Sequence, residues 1–105
     1  MREYRVIINR AARVDFLEIR TFLWGVLSFQ SAEKYANAMR AEIKSISIFA
    51  DCFQRSTSKQ ILSIHPQARR MVSHNKRWVY IFHIEGDFAI VDRILSARVS
   101  NNIKQ

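Results

Sequence analysis

The chain is short of the residues that build loops. One proline and two glycines in 105 residues are too few for a sandwich of many short strands and tight turns, so a few long elements are expected. There is a single cysteine, Cys52. It cannot form an internal disulfide, which fits a reducing compartment, and its place after a helical stretch reads as buried filler rather than a nucleophile. No apolar run approaches the ~20 residues that span a bilayer, and no apolar leader follows the first Met. The expectation is a cytoplasmic chain without a membrane partner. Acidic residues are also scarce, 9 against 17 Lys and Arg, for a net charge of +8. Such a surplus on a small chain implies an anionic partner, nucleic acid or an acidic protein segment, unless the surface is merely basic.

What is present is enough for a core. With 49% hydrophobic and 11% aromatic residues, wholesale disorder is excluded as a reading, and the length suits one domain over residues 1–105. The organising stretch is Trp78 to Arg98. Its two apolar runs, Trp78–Ile84 and Phe88–Leu95, meet at Glu85-Gly86-Asp87 and predict a β-hairpin at the centre of a sheet. Apolar residues fall on both alternating sets, so both faces of the hairpin should be covered. The polar interruptions (His83, Asp92, Arg93, Ser96 and Arg98) therefore need a reason.

Upstream, Tyr4, Val6 and Ile8 alternate as in a short strand, and Asn9 can cap a helix over about Ala11 to Leu27. Ala12, Phe16, Ile19 and Leu23 form its stripe. A break at Ser28 to Ser31, with Ser28 or Ser31 as cap, precedes a second helix whose stripe is Ala32, Tyr35, Ala36, Met39, Ile43 and Ile46. Helices so closely joined form an antiparallel hairpin. The stripes themselves read as core. Phe22, Trp24 and Phe29 fit them less well and are candidates for an exposed patch where a partner docks, though a wide amphipathic face also accommodates them. Gln54 to Ala68 reads as a connection tacked onto the core by Ile61, Leu62 and Ile64, and Arg69 to Ser73 as a short strand. His74-Asn75-Lys76-Arg77 is a basic turn. The order strand, helix, helix, loop, three strands gives an α+β fold, a helical hairpin on one face of a mostly antiparallel four-stranded sheet.

This βααβββ order resembles the RelE/ParE superfamily, toxins of bacterial type II toxin–antitoxin modules. The resemblance covers nearly the whole chain. It rests on Tyr4-Arg5-Val6-Ile7 leading into Ala12, on Asp15-Phe16-Leu17-Glu18-Ile19, on Tyr80 to Asp87, and on Ile90 to Arg98 with its closing arginine. Departures are informative. Phe53 stands near where members carry a proline, and Phe82 stands where many carry a tyrosine. Val79 occupies the place of an arginine used by the ribosome-dependent ribonucleases of the RelE branch, and Val99–Gln105 lacks their terminal Tyr or His. The resemblance thus leans toward the ParE branch, whose members poison DNA gyrase by binding.

The implied protein is a toxin that docks on gyrase without catalysis, silenced by a ParD-like antitoxin with an acidic C-terminal segment, in a hetero-oligomer. Its target-binding candidates are Lys76, Arg77, Arg93 and Arg98, and its antitoxin-binding candidates are Phe22, Trp24 and Phe29. The alternative is a RelE-like endoribonuclease acting on ribosome-bound message. In-line RNA cleavage needs a base, an acid and cations on the phosphate, and His74, His83, Arg93 and Arg98 are the candidates. His83 also reads as a hydrogen-bonded structural histidine, and Arg93 as a sheet arginine pairing Asp92 or Glu85. A third reading is a non-toxic basic nucleic-acid-binding domain. His65, His74 and His83 are evenly spaced, but no Cys or carboxylate joins them at metal-ligand spacing. No metal and no cofactor is expected.

Overall fold

The computed structural model describes residues 2–98; the polar tail read from the sequence at 99–105 lies outside them. The elements are β1 (Arg5–Ile8), α1 (Arg10–Val26), α2 (Phe29–Phe49), a 3-10 turn (Ala50–Cys52), the short α3 (Lys59–Leu62), β2 (Arg69–Val72), β3 (Trp78–Glu85) and β4 (Phe88–Ser96). Asn9 caps α1 by accepting from the Ala12 amide, and Ser28, not Ser31, caps α2 by accepting from the Ser31 amide. The helices are therefore separated by two residues, Leu27 and Ser28, rather than four.

The sheet order is β1-β4-β3-β2. β1 runs parallel to β4, and the other two pairings are antiparallel. Gly86, at φ 60, opens the two-residue turn between Glu85 and Phe88, where a glycine at the first central position matches the twist of the flanking strands. One face of the sheet, with Tyr80, Phe82, Ala89, Val91 and Ile94, packs on Ala12, Ile19, Leu23, Met39, Ile43 and Ile46 of the two long helices. The opposite face carries Val79, Ile81 and Ala97, and here Ile61 and Ala68 from the connection close over it. The stretch between α2 and β2 is thus a strap across the second face. Its anchor, Ile61, is fully buried and supplies roughly 1.5–3 kcal/mol of burial.

A β-bulge breaks the alternation in β4. Ile81 pairs with Arg93 and Phe82 with Val91, leaving Asp92 as the extra residue. Core-facing positions switch there from odd numbers (Ala89, Val91) to even (Ile94), as one inserted residue requires. Cys52, expected inside, is exposed. It falls in the 3-10 turn, where the chain leaves the α2 stripe and only Ala50 stays buried.

Candidate functional site

Two polar assemblies and one groove stand out, and the nine singled-out residues divide among them. The first assembly is the end of the sheet where β2 turns into β3 and β4 finishes. The Ala97 amide donates to the Arg77 carbonyl at 2.7 Å, so Arg77 and Arg98 lie side by side across the strand pair, with His74 and Lys76 in the adjoining turn. All four are exposed. Among the described residues, the side chains of Lys76, Arg77 and Arg98 form no ion pair.

The turn presenting them is rigid for local reasons. The Ser73 hydroxyl donates to Asn75 Oδ1 and accepts from the Trp78 amide, while the Arg77 amide donates to Asn75 Oδ1. Lys76 is forced to φ 61, a conformation that L side chains rarely take. Two side chains of α2 then tie this turn to the helical layer. The Tyr35 hydroxyl accepts from Asn75 Nδ2 (2.6 Å) and Trp78 Nε1 (2.9 Å). Glu42 accepts from the His74 amide and from the Tyr80 hydroxyl. Burial, reinforced by that Glu42 hydrogen bond, pushes the Tyr80 phenol up, beyond the ordinary value of 10.0.

Arg93 does not join this cationic end. Its guanidinium makes a two-pronged contact with Asp15 of α1, Nε to Oδ2 at 2.7 Å and Nη2 to Oδ1 at 3.1 Å. The bond to Asp15 raises its pKa, so it stays cationic but locally neutralised. The expected partners, Asp92 or Glu85, are corrected: the bulge turns Asp92 to His83 instead, and Arg93 reaches over the sheet edge to the helix.

The second assembly surrounds His83, which is 5% exposed. Its Nδ1 faces Asp92 Oδ2 at 2.6 Å and its Nε2 faces Glu85 Oε2 at 3.3 Å. Asn9 Nδ2 donates to the other Asp92 oxygen at 3.2 Å. The His65 ring lies flat on His83, centroids 3.6 Å apart and planes within 5°. The structural reading of His83 describes what is seen. It stands in mid-sheet, away from His74 at the cationic end, so the four nuclease candidates do not converge. Among the described residues, no group of three or more His, Cys, Asp or Glu could hold a metal ion.

The groove lies between α1, α2 and the outer edge of β1, with a volume of about 440 Å³. Its floor is apolar (Val6, Ile8, Phe16, Ile43) and its rim carries Arg13, Arg20, Arg40 and Lys44. Arg40 packs over the Phe16 ring at 5.0 Å, and Arg13 Nε donates to the Ile8 carbonyl at 3.0 Å. The Arg5 and Asn9 amides both donate toward β4; the alternating Val6 and Ile8 backbone groups therefore face the groove. Sequence reasoning passed over this rim, although Arg13/Arg20 and Arg40/Lys44 flank their helical stripes at i,i+7 and i,i+4. At the far end of the helices, Phe22, Trp24 and Phe29 are 60%, 45% and 68% exposed. Trp24 stacks on Phe29 and donates to Glu33, which Arg20 grips with two nitrogens. That grip lowers the Glu33 pKa.

No family model matches this chain, and no curated protein matches it in sequence. Among solved structures, a chain of the chromosomal ParDE toxin–antitoxin system from P. aeruginosa matches with a TM-score of 0.75 at 16% identity, covering 90% of this chain and 96% of that one. The fold is ParE-like. Beyond a bare βααβββ plan, this chain has the 3-10 turn and the short α3 within the strap. Among the described residues, no helix is long and apolar enough to cross a membrane.

Proposed function

We propose that this chain is the toxin of a type II toxin–antitoxin pair, a single domain that acts by docking on a macromolecular target. The ParE-like fold is the observation that carries this reading. The gyrase assignment follows the resemblance to the ParE branch. It is supported by the separation of His83 and Arg93 from His74 and Arg98, so that the four nuclease candidates do not converge. Lys76, Arg77 and Arg98 are the target-facing cations, and Tyr35 and Glu42 of α2 tie down the turn that carries the first two.

The groove is the seat of a neutralising antitoxin. An apolar floor, a rim with Arg13, Arg40 and Lys44, and the position of β1 at the end of the sheet order together suit an acidic segment with apolar anchors. The aromatic elbow of Phe22, Trp24 and Phe29 extends that surface.

Induced expression with and without a cognate antitoxin, followed by a supercoiling assay with purified gyrase, tests the proposal. Growth arrest with loss of supercoiling, relieved by the antitoxin, is expected. Intact supercoiling with cutting of ribosome-bound message overturns it in favour of the RelE-like ribonuclease. Absence of toxicity, with binding to nucleic acid that weakens steeply with salt, overturns it in favour of a basic binding domain.

A further inference from the structure

The strap is held on the sheet by contacts of different chemistry, apolar packing and a ring stack among them. Ile61 is its apolar anchor on Val79, Ile81 and Ala97. His65 makes the stack, lying on His83 with ring centroids 3.6 Å apart. The two rings hold their protons differently. Both nitrogens of His83 face carboxylate oxygens, Asp92 from β4 and Glu85 from its own strand, so a ring with both protons can donate to both. His65 Nδ1 instead accepts from the Gln67 amide at 3.0 Å. That nitrogen carries no proton, and His65 is neutral in this arrangement.

Adding a proton to His65 removes two things at once. Nδ1 becomes a donor facing the Gln67 donor, and a positive ring is placed face to face with His83. Among the described residues, no carboxylate is hydrogen-bonded to His65 to offset this charge. Asp92 is already engaged by His83 and Asn9, and Glu85 faces the far nitrogen of His83. Arg55, also on the strap, donates to the Pro66 carbonyl next to His65. Histidine is the side chain whose ordinary titration falls within the physiological range.

We propose that the His65–His83 stack is a proton-operated latch: neutral His65 holds the strap on the β3–β4 face, and acidification releases it. The released face is apolar and includes Ala97, the neighbour of Arg98, so the latch also bears on the cationic end.

Hydrogen exchange on the full chain, corrected for intrinsic rates, tests this between about pH 8 and about pH 5. The reporters are the strap amides of Leu62, Ser63 and Ile64, which donate within the strap, set against the amide of Phe82, whose side chain lies on the helix-facing side of β3, as a sheet reference. Acidification should lower strap protection about tenfold or more while interior β3 amides hold. His65→Phe preserves a flat stacking ring without a titrating nitrogen and should abolish the dependence, and His65→Gln should do the same if the phenylalanine variant folds poorly. Strap protection that does not change with pH overturns the latch. So does an equal pH response in the variants.

Discussion

Asp15 on the first helix accepts the Ile94 amide of β4 at 2.9 Å while gripping Arg93 through both oxygens. β1 pairs with β4 only as far as Val91, and beyond that point the β4 edge would present bare backbone groups. One carboxylate on the helix takes over from the strand. Asp15→Ala should therefore cost about 2 kcal/mol, because it strands an amide at a covered edge. Arg93→Ala should cost below about 1 kcal/mol, since the guanidinium side of the pair is partly exposed. Urea denaturation of both variants checks the order; an Arg93→Ala loss equal to that of Asp15→Ala would show the ion pair, not the amide, to be what matters.

The Tyr80 phenol provides an alkaline signature. Its folded pKa is raised by burial and by Glu42, so its contribution is fully present below the unfolded value near 10. As pH climbs past that value, the unfolded chain loses the proton that the folded chain retains. Stability should then fall by about 1.4 kcal/mol per pH unit from this group. Tyr80→Phe should flatten that limb of a stability-versus-pH curve, and an unchanged slope would exclude Tyr80 as its source.

Lys76 separates charge from fold. At φ 61 a lysine is strained where glycine is not, so Lys76→Gly should leave thermal stability unchanged or raise it by about 0.5 kcal/mol. The same variant should weaken target docking. Gly86→Ala, the converse change at φ 60, should cost about 1 kcal/mol. Calorimetry alongside a docking assay distinguishes the two effects.

The groove rim makes a kinetic prediction. Arg40→Glu and Lys44→Glu together should slow association with an acidic antitoxin segment by ten-fold or more, roughly, and reduce its salt dependence, because rim charges act on encounter. Surface plasmon resonance at two ionic strengths measures this. An unchanged on-rate would move the antitoxin elsewhere.

Local chemistry was legible in the sequence wherever it repeats at short range. The two helical stripes, the Asn9 and Ser28 caps and the Gly86 turn all follow from spacing and side-chain type. The partners of Arg93 and His83 were not legible in that way. Asp15 and Arg93 lie 78 positions apart, and only the parallel docking of β1 on β4 brings α1 to that edge. The bulge at Asp92 reverses the alternation from which sidedness is read, which is why Asp92 and Glu85 looked like neighbours for Arg93. His65 entered only as one of three evenly spaced histidines weighed for a metal; its stacking on His83 left no trace in the sequence, since it exists only once the strap is folded over β3.

The pairing of Arg5 with Phe88 and of Ile8 with Val91 ties the opening strand to the last one. Contacts so distant along the chain form late and slowly. During synthesis the first strand must wait, unpaired, until β4 has been made. A product cut short before Phe88 lacks the strand on which the first one closes, so it cannot assemble this sheet.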